Sequence, residues 1–372
     1  MTIELESINF AKRCCADDAN LCEIVEVNAG KNDAQFKGVL DILANNQFNT
    51  MYRRQLEEMS ASGTVGGYIR LDNADLLDNG NVTGGHIKVN YVNAEGIIPL
   101  TVINNDIIEC AFYGENTIRG QINGTLVVFK LDENKVNYLA ETYYFDKDGK
   151  EISDSRTSLQ LGDVKPFFVM RTAEVNNIDD MDGYGYPKLY SSIPVLEALD
   201  LAYNILFGDL DKGEKLVFIN ELLAEIKKTD DGTPYLTPQQ KKLFILMGEC
   251  GGKLPDEKSV VQEYNPEIRI DQITKVFETC LSLLSMSFGY GTKKYSFEQN
   301  GQLKTATECI IDNQQAMQEL NKQRYEAKQY IANICKSIIW FSNQFKGTAW
   351  NVDEEIKVEF DDSIITCKRR KL

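Results

Sequence analysis

The chain contains one histidine, His86, next to Gly84-Gly85, so a single subunit cannot build a histidine triad or a multi-histidine metal site. His86 reads instead as a turn or strand-edge residue. Gly289-Tyr290-Gly291-Thr292-Lys293-Lys294 looks like a phosphate cradle. A phosphate loop, however, needs a strand before it and Gly-x-x-x-x-Gly-Lys-Ser/Thr spacing, and here a helical pattern precedes it. Asp146-Lys147-Asp148-Gly149-Lys150-Glu151 has the look of a calcium loop. Tyr144 and Ser155 stand where an EF-hand needs a carboxylate and its last glutamate, so the segment reads as a hairpin turn. Two-metal nucleases use carboxylate clusters. Such clusters occur at Asp179, Asp180 and Asp182, and again at Asp353, Glu354, Glu355, Asp361 and Asp362; solvated loop and cap positions account for them. Met286, Phe288, Tyr290, Tyr295 and Phe297 could stack on bases, but a duplex hides its bases, which leaves packing between loops as their role. No catalytic residue, cofactor site or metal site emerges, and an enzyme is not expected.

Composition narrows the partners. Of 372 residues, 56 are acidic and 40 basic, a formal charge of -16, so the surface as a whole repels phosphate. The nine cysteines are odd in number, Cys14 and Cys15 are adjacent, and no Cys-x-x-Cys pair has zinc-ribbon spacing; reduced thiols in a cytosolic compartment are expected. Glu4 and Glu6 stand where a signal peptide is basic, and no run approaches the roughly 20 apolar residues of a membrane span. The expectation is a soluble protein that is neither exported nor membrane-embedded.

The periodicities predict an α+β chain. Strand-like Glu23–Val27 precedes short helical stretches through Phe36, Val39, Leu40 and Leu43 and then Phe48, Met51, Tyr52, Leu56 and Met59. From Thr64 to Met170 the period is two, with Asn104-Asn105-Asp106, Asn123-Gly124 and Asp146–Gly149 as the turns of an antiparallel β-rich region. After Gly183-Tyr184-Gly185-Tyr186-Pro187 the period returns to 3.6, with an acidic stripe of Glu197, Asp200, Asn204 and Asp211 opposite Val195, Leu199, Ala202 and Leu206. A small α/β segment follows, with strand-like Leu216–Ile219 and a helix from Pro238 to Met247. An amphipathic helix then runs from Asp271 to Phe288, and a polar loop leads to the capping box Thr305-Ala306-Thr307-Glu308. That box opens a helix to Phe345, with Ile310, Met317, Ile331 and Ile338 in a seven-residue register that Arg324 interrupts. At about 1.5 Å per residue such a helix is on the order of 60 Å long, and it is expected to cross between subdomains or subunits.

Several segments in this order resemble the portal proteins of long-tailed phages that infect low-GC Gram-positive bacteria. They are Tyr91-Val92-Asn93-Ala94-Glu95-Gly96-Ile97-Ile98-Pro99-Leu100 with Ile108–Phe112, and Gly185-Tyr186-Pro187 before Leu199-Asp200-Leu201-Ala202-Tyr203. Further on are Phe288-Gly289, Lys304–Glu308, and Phe360-Asp361-Asp362-Ser363-Ile364-Ile365. The resemblance implies a wing over residues 1-190, a first stem helix over 191-213, a clip over 214-269 and a second stem helix over 270-288. It places a tunnel loop at 289-303, a long helix at 304-346 and a C-terminal wing segment at 347-372. Portals of this type start several dozen residues earlier and continue past the position of Ile365 into a helical crown, which on this comparison is expected to be missing.

The function implied is a ring, of twelve subunits in the capsid, at one capsid vertex, through which double-stranded DNA is packaged and ejected. The implied partners are further copies of the chain, the major capsid and scaffolding proteins, the terminase motor and a head-completion adaptor. The implied locations are the virion and, during assembly, the host cytoplasm. Lys293, Lys294, Tyr295 and Lys304 are the expected DNA contacts of the tunnel loop. Glu197, Asp200, Asn204 and Asp211 are candidates for a channel lining that repels phosphate and lets the duplex slide. The alternatives are another minor head or baseplate protein and a metal-dependent DNA-processing enzyme, whose carboxylates would be Asp361 and Asp362.

Overall fold

The computed structural model describes residues 6–22, 24–28, 33–76, 82–118, 121–152, 157–213, 216–220, 244–247, 261–265, 267–291, 294–295 and 306–360. Within these, the helices are α1 (Phe10–Ala19), α2 (Asp33–Asn45), α3 (Phe48–Ser62), α4 (Ile193–Lys212), α5 (Ile270–Ser287) and α6 (Ala306–Lys346). Chain packing separates two compact units, Met1–Ile8 with Val195–Leu281, and Asn9–Pro194 with Ser282–Leu372.

The larger unit is built on two antiparallel sheets. The first has the order β3-β2-β9, from β2 (Thr64–Leu76), β3 (Val82–Asn93) and β9 (Phe167–Arg171). The second runs β4-β5-β6-β7-β8, from β4 (Ile97–Ile103), β5 (Asp106–Ile118), β6 (Gln121–Leu131), β7 (Tyr138–Phe145) and β8 (Thr157–Gln160). Asn104 and Asn105 turn β4 into β5 with φ of 51° and 64°, the left-handed pair that a two-residue hairpin of twisted strands requires. Asp146 turns β7 back, its Oδ1 accepting from the backbone N–H groups of Asp148 and Lys150 at 2.9 Å each. Asn123-Gly124 is not a turn. Both residues lie in the β6 ladder, opposite Asn116 and Glu115, and Gly124 leaves room for the Tyr113 ring across the strand. The inner faces meet in an aromatic cluster, with Tyr68 and Phe112 5.3 Å apart and Phe129 and Phe167 5.7 Å apart by ring centroid.

Helices cover this core. On α3, Phe48, Tyr52, Leu56 and Met59 recur at helical spacing and all are buried, and Gly63, at φ 81°, ends the helix by donating its N–H to Met59 O at 2.7 Å. The 41-residue α6 lies wholly in the larger unit instead of crossing out of it. Leu320, Ala327, Ile331, Ile334, Ile338 and Phe341 are buried along it, and it packs on β9 and β3. The polar interruptions of its stripe have partners. Gln323 donates to Arg171 O at 3.2 Å and accepts from Ala173 N at 3.1 Å, and the Arg324 guanidinium lies 5.2 Å from the centroid of Phe360. Phe360 belongs to β13 (Lys357–Phe360), which pairs antiparallel with β1 (Ile24–Asn28).

The smaller unit holds most of α4 and α5 and a three-stranded sheet of order β11-β10-β12. β10 (Leu216–Asn220) pairs parallel with β11 (Phe244–Met247) and antiparallel with β12 (Val261–Tyr264). The helix expected over 238–247 is thus a strand in its last four residues, and the rest lies outside the described residues. A four-residue apolar run carries no periodicity of its own, and here its ladder with Val217–Asn220 decides its form. Arg269 grips Asp209 near the end of α4 through Nε at 2.9 Å and Nη2 at 2.7 Å. The molecule is an α+β protein with antiparallel sheets and a long C-terminal helix. Among the described residues no helix is long and apolar enough to cross a membrane.

Candidate functional site

The helix α5 ends at a left-handed glycine. Gly289, at φ 76°, donates its N–H to Met286 O at 3.0 Å, and Tyr290 N–H donates to Ser285 O at 2.9 Å, the paired bonds of a Schellman cap. The cap fixes where the next residues go. Tyr290 donates its hydroxyl hydrogen to Asp18 Oδ1 at 2.7 Å. Its ring stacks on Phe288 at 6.2 Å, and Tyr295 meets it edge-on at 6.3 Å. Tyr295 N–H donates to Ser285 Oγ at 3.1 Å, and its ring stands edge-on to Phe10 of α1 at 5.3 Å.

Asp18 also receives Lys188. This lysine follows Gly185-Tyr186-Pro187, is 1% exposed, and places Nζ 3.0 Å from Asp18 Oδ1 and 3.7 Å from Glu319 Oε1 on α6. Burial alone would lower its pKa, but the charge and hydrogen bond of Asp18, with Glu319 and Glu174, hold it above the ordinary lysine value. Burial, with like charge from Glu319 and Asp18, raises the Glu174 carboxyl. It also drives the Tyr290 hydroxyl well up, with Asp18 adding to the shift. Burial pushes the Cys14 thiol up to about 12. A charged junction therefore joins α1, the segment before α4, the segment after α5, and α6.

The segment before α4 is held by backbone. Gly185 N–H donates to Thr64 Oγ1 at 2.8 Å, Thr172 Oγ1 donates to Tyr186 O at 2.7 Å, and Thr172 N–H donates to Gly63 O at 3.0 Å. Gly63 and Gly185 approach so closely that a Cβ on either would strike the other's carbonyl oxygen. Ser192 and Ser287 then share a hydrogen bond of 2.8 Å between the start of α4 and the end of α5.

The residues singled out from the sequence fall in three places. Lys294 is exposed, with Nζ 5.6 Å above the Tyr290 ring, and Tyr295 is half-buried in the junction; Lys293, Lys304 and Phe297 lie outside the described residues. Glu197 and Asp211 are exposed on α4. Asp200 and Asn204 are not bare, because they hold the backbone of Glu6 and Ile8. His86 sits on β3 opposite Asp72, at the edge of its sheet. Asp179, Asp180, Asp182, Asp353 and Glu355 are exposed, and Asp361 and Asp362 lie outside the described residues. Among the described residues no three His, Cys, Asp or Glu side chains gather as metal ligands would. The sequence reading missed Asp18 and Lys188; the one signal for them was a lysine set directly behind Gly-Tyr-Pro.

Fold and junction together define an α+β protein whose larger unit carries a buried charged junction and whose smaller unit holds a three-stranded mixed sheet. No family model matches the sequence, and no curated protein matches it. Solved chains from gene transfer agent particles are similar to it over most of its length. One, from the virion of a native gene transfer agent particle, has 11% identity, a TM-score of 0.42, and covers 95% of this chain and 80% of its own. Another, from the neck of an empty particle computed with C6 symmetry, has 12% identity, a TM-score of 0.44 and coverage of 95% and 80%. A third, from the neck of a native particle computed with C12 symmetry, has 11% identity, a TM-score of 0.43 and coverage of 94% and 79%.

Proposed function

We propose that the chain is a portal subunit: a member of a ring at one capsid vertex that passes double-stranded DNA during packaging and ejection and docks the terminase motor and a head-completion adaptor. The observation that carries the reading is on the two helices that bracket the small sheet. Leu201, Phe207 and Leu210 on α4, and Ile270, Val276 and Leu283 on α5, are all more than 45% exposed. Apolar side chains repeated along two helices call for a partner surface, and a head-to-tail ring of identical copies supplies one.

Three further features agree with it. The order of β-rich body, helix, small sheet, helix, polar segment and long helix is the one the portal resemblance implies. The charge of -16 suits a conduit that must not bind the duplex at every step. The junction at Asp18 and Lys188 anchors Tyr290, against which Tyr295 packs, and Lys293, Lys294 and Lys304 are the proposed phosphate contacts of the stretch around them.

Native mass of the purified chain over a range of concentrations, followed by negative-stain imaging, tests the proposal. Large species with a central hole are expected. A monomer at every concentration overturns it.

A further inference from the structure

Asn204 makes a two-point contact with one residue of the N-terminal segment. It accepts from Glu6 N–H through Oδ1 at 3.0 Å and donates from Nδ2 to Glu6 O at 2.8 Å. The same Nδ2 donates to Asp200 O at 2.7 Å on its own helix, which fixes which end of the amide faces which backbone group. Four residues earlier on the same face, Asp200 Oδ1 accepts from Ile8 N–H at 3.1 Å. Two side chains one helical turn apart thus hold the main chain at alternate residues, the spacing at which an extended strand presents groups to one side.

We propose that Asp200 and Asn204 form a clamp for extended main chain, and that in the assembled ring it holds the Glu6–Ile8 segment of a neighbouring copy in place of its own. The clamp's hydrogen bonds go to backbone groups, so a neighbour's identical segment fits it equally. Leaving costs little buried surface, because Glu6 and Ser7 are exposed and Ile8 is only half-buried. The point of departure is marked: Asn9 takes a left-handed φ of 52°, and the chain passes between the two compact units at Ile8 and Asn9. Exchange of an identical segment between copies preserves every hydrogen bond, and tethering in a ring keeps the neighbour's segment at high effective concentration. The exchange rests on the ring proposed above.

The test uses the full chain with a photo-cross-linking amino acid replacing the exposed Glu6, prepared as light and nitrogen-15-labelled copies that are mixed before assembly. After irradiation, cross-links from position 6 to peptides of α4 are sorted by isotope, and native mass is read on the same sample. Light-to-heavy cross-links in a multimer are expected. Asn204→Ala should lower their yield roughly tenfold, since it removes two of the three hydrogen bonds. Ile8→Pro should lower it as well by removing the donor N–H, whereas Ile8→Val should retain it. A multimer with same-isotope cross-links alone overturns the exchange, and a multimer with none to α4 overturns the clamp. A sample that stays monomeric overturns the ring reading, and the exchange falls with it.

Discussion

Lys188 Nζ lies 3.0 Å from Asp18 Oδ1, 170 positions away in the chain, and both side chains are buried. A buried charge is tolerated only with its partner, so the pair fixes a register among segments that share no secondary structure. Asp18→Ala is expected to destabilise the fold by about 3 kcal/mol, because it removes the lysine's nearest carboxylate, leaving Glu319 at 3.7 Å, and the acceptor of Tyr290. The double variant Asp18→Asn with Lys188→Met should cost clearly less. Urea unfolding of the three proteins decides it, and equal losses would remove the ion pair from the account.

The same lysine predicts an alkaline limit. Its folded pKa stands above the ordinary 10.5, so its stabilisation is fully present below pH 10.5 and is lost as pH rises through the folded value. Thermal midpoints between pH 9 and pH 12 should therefore fall more steeply in the native chain than in the Asp18→Asn, Lys188→Met double variant.

Gly185→Ala places a methyl group against the carbonyl of Gly63, where backbone on both sides prevents adjustment. A loss of roughly 1–3 kcal/mol is expected, as for overpacking in a core. Gly114→Ala, at a position with open space around a Cβ, serves as the control. Identical melting temperatures for the two variants would contradict the close approach.

Leu201→Glu with Leu210→Glu puts charge on two exposed positions of α4, so the fold should keep its stability within about 0.5 kcal/mol. Self-association, read by sedimentation, should be lost. Unchanged association would move the proposed subunit contact off this helix.

Lys293→Glu with Lys294→Glu is expected to reduce DNA packaging in a reconstituted capsid without changing solubility or native mass. Wild-type packaging by this variant would take the segment after Tyr290 out of the proposed DNA path.

The legible parts of this fold are those where one face meets one core. The alternation of Ile87 and Val89 and the helical spacing of Phe48, Tyr52, Leu56 and Met59 each announce a buried face, and the structure buries them. Helix α1 is different, because Cys14, Cys15, Asp17 and Asp18 are buried along it, and aspartates on an inner face read as solvent-exposed. Phe244–Met247, read as the end of a helix, is a strand too short to show a period, and Asn123-Gly124 carries turn chemistry at a site that needs the room a glycine leaves beside Tyr113. The junction was invisible for a further reason. Tyr290 meets Asp18 across 272 residues, and no local pattern encodes a partner at that distance.

The cap at Gly289 separates two properties that a loop usually mixes. The direction in which the chain leaves α5 is written in backbone hydrogen bonds to Ser285 and Met286 and sealed by Tyr290 and Tyr295. Substitutions after Tyr295 leave those bonds in place, so the starting point of the stretch and its charge can be altered independently.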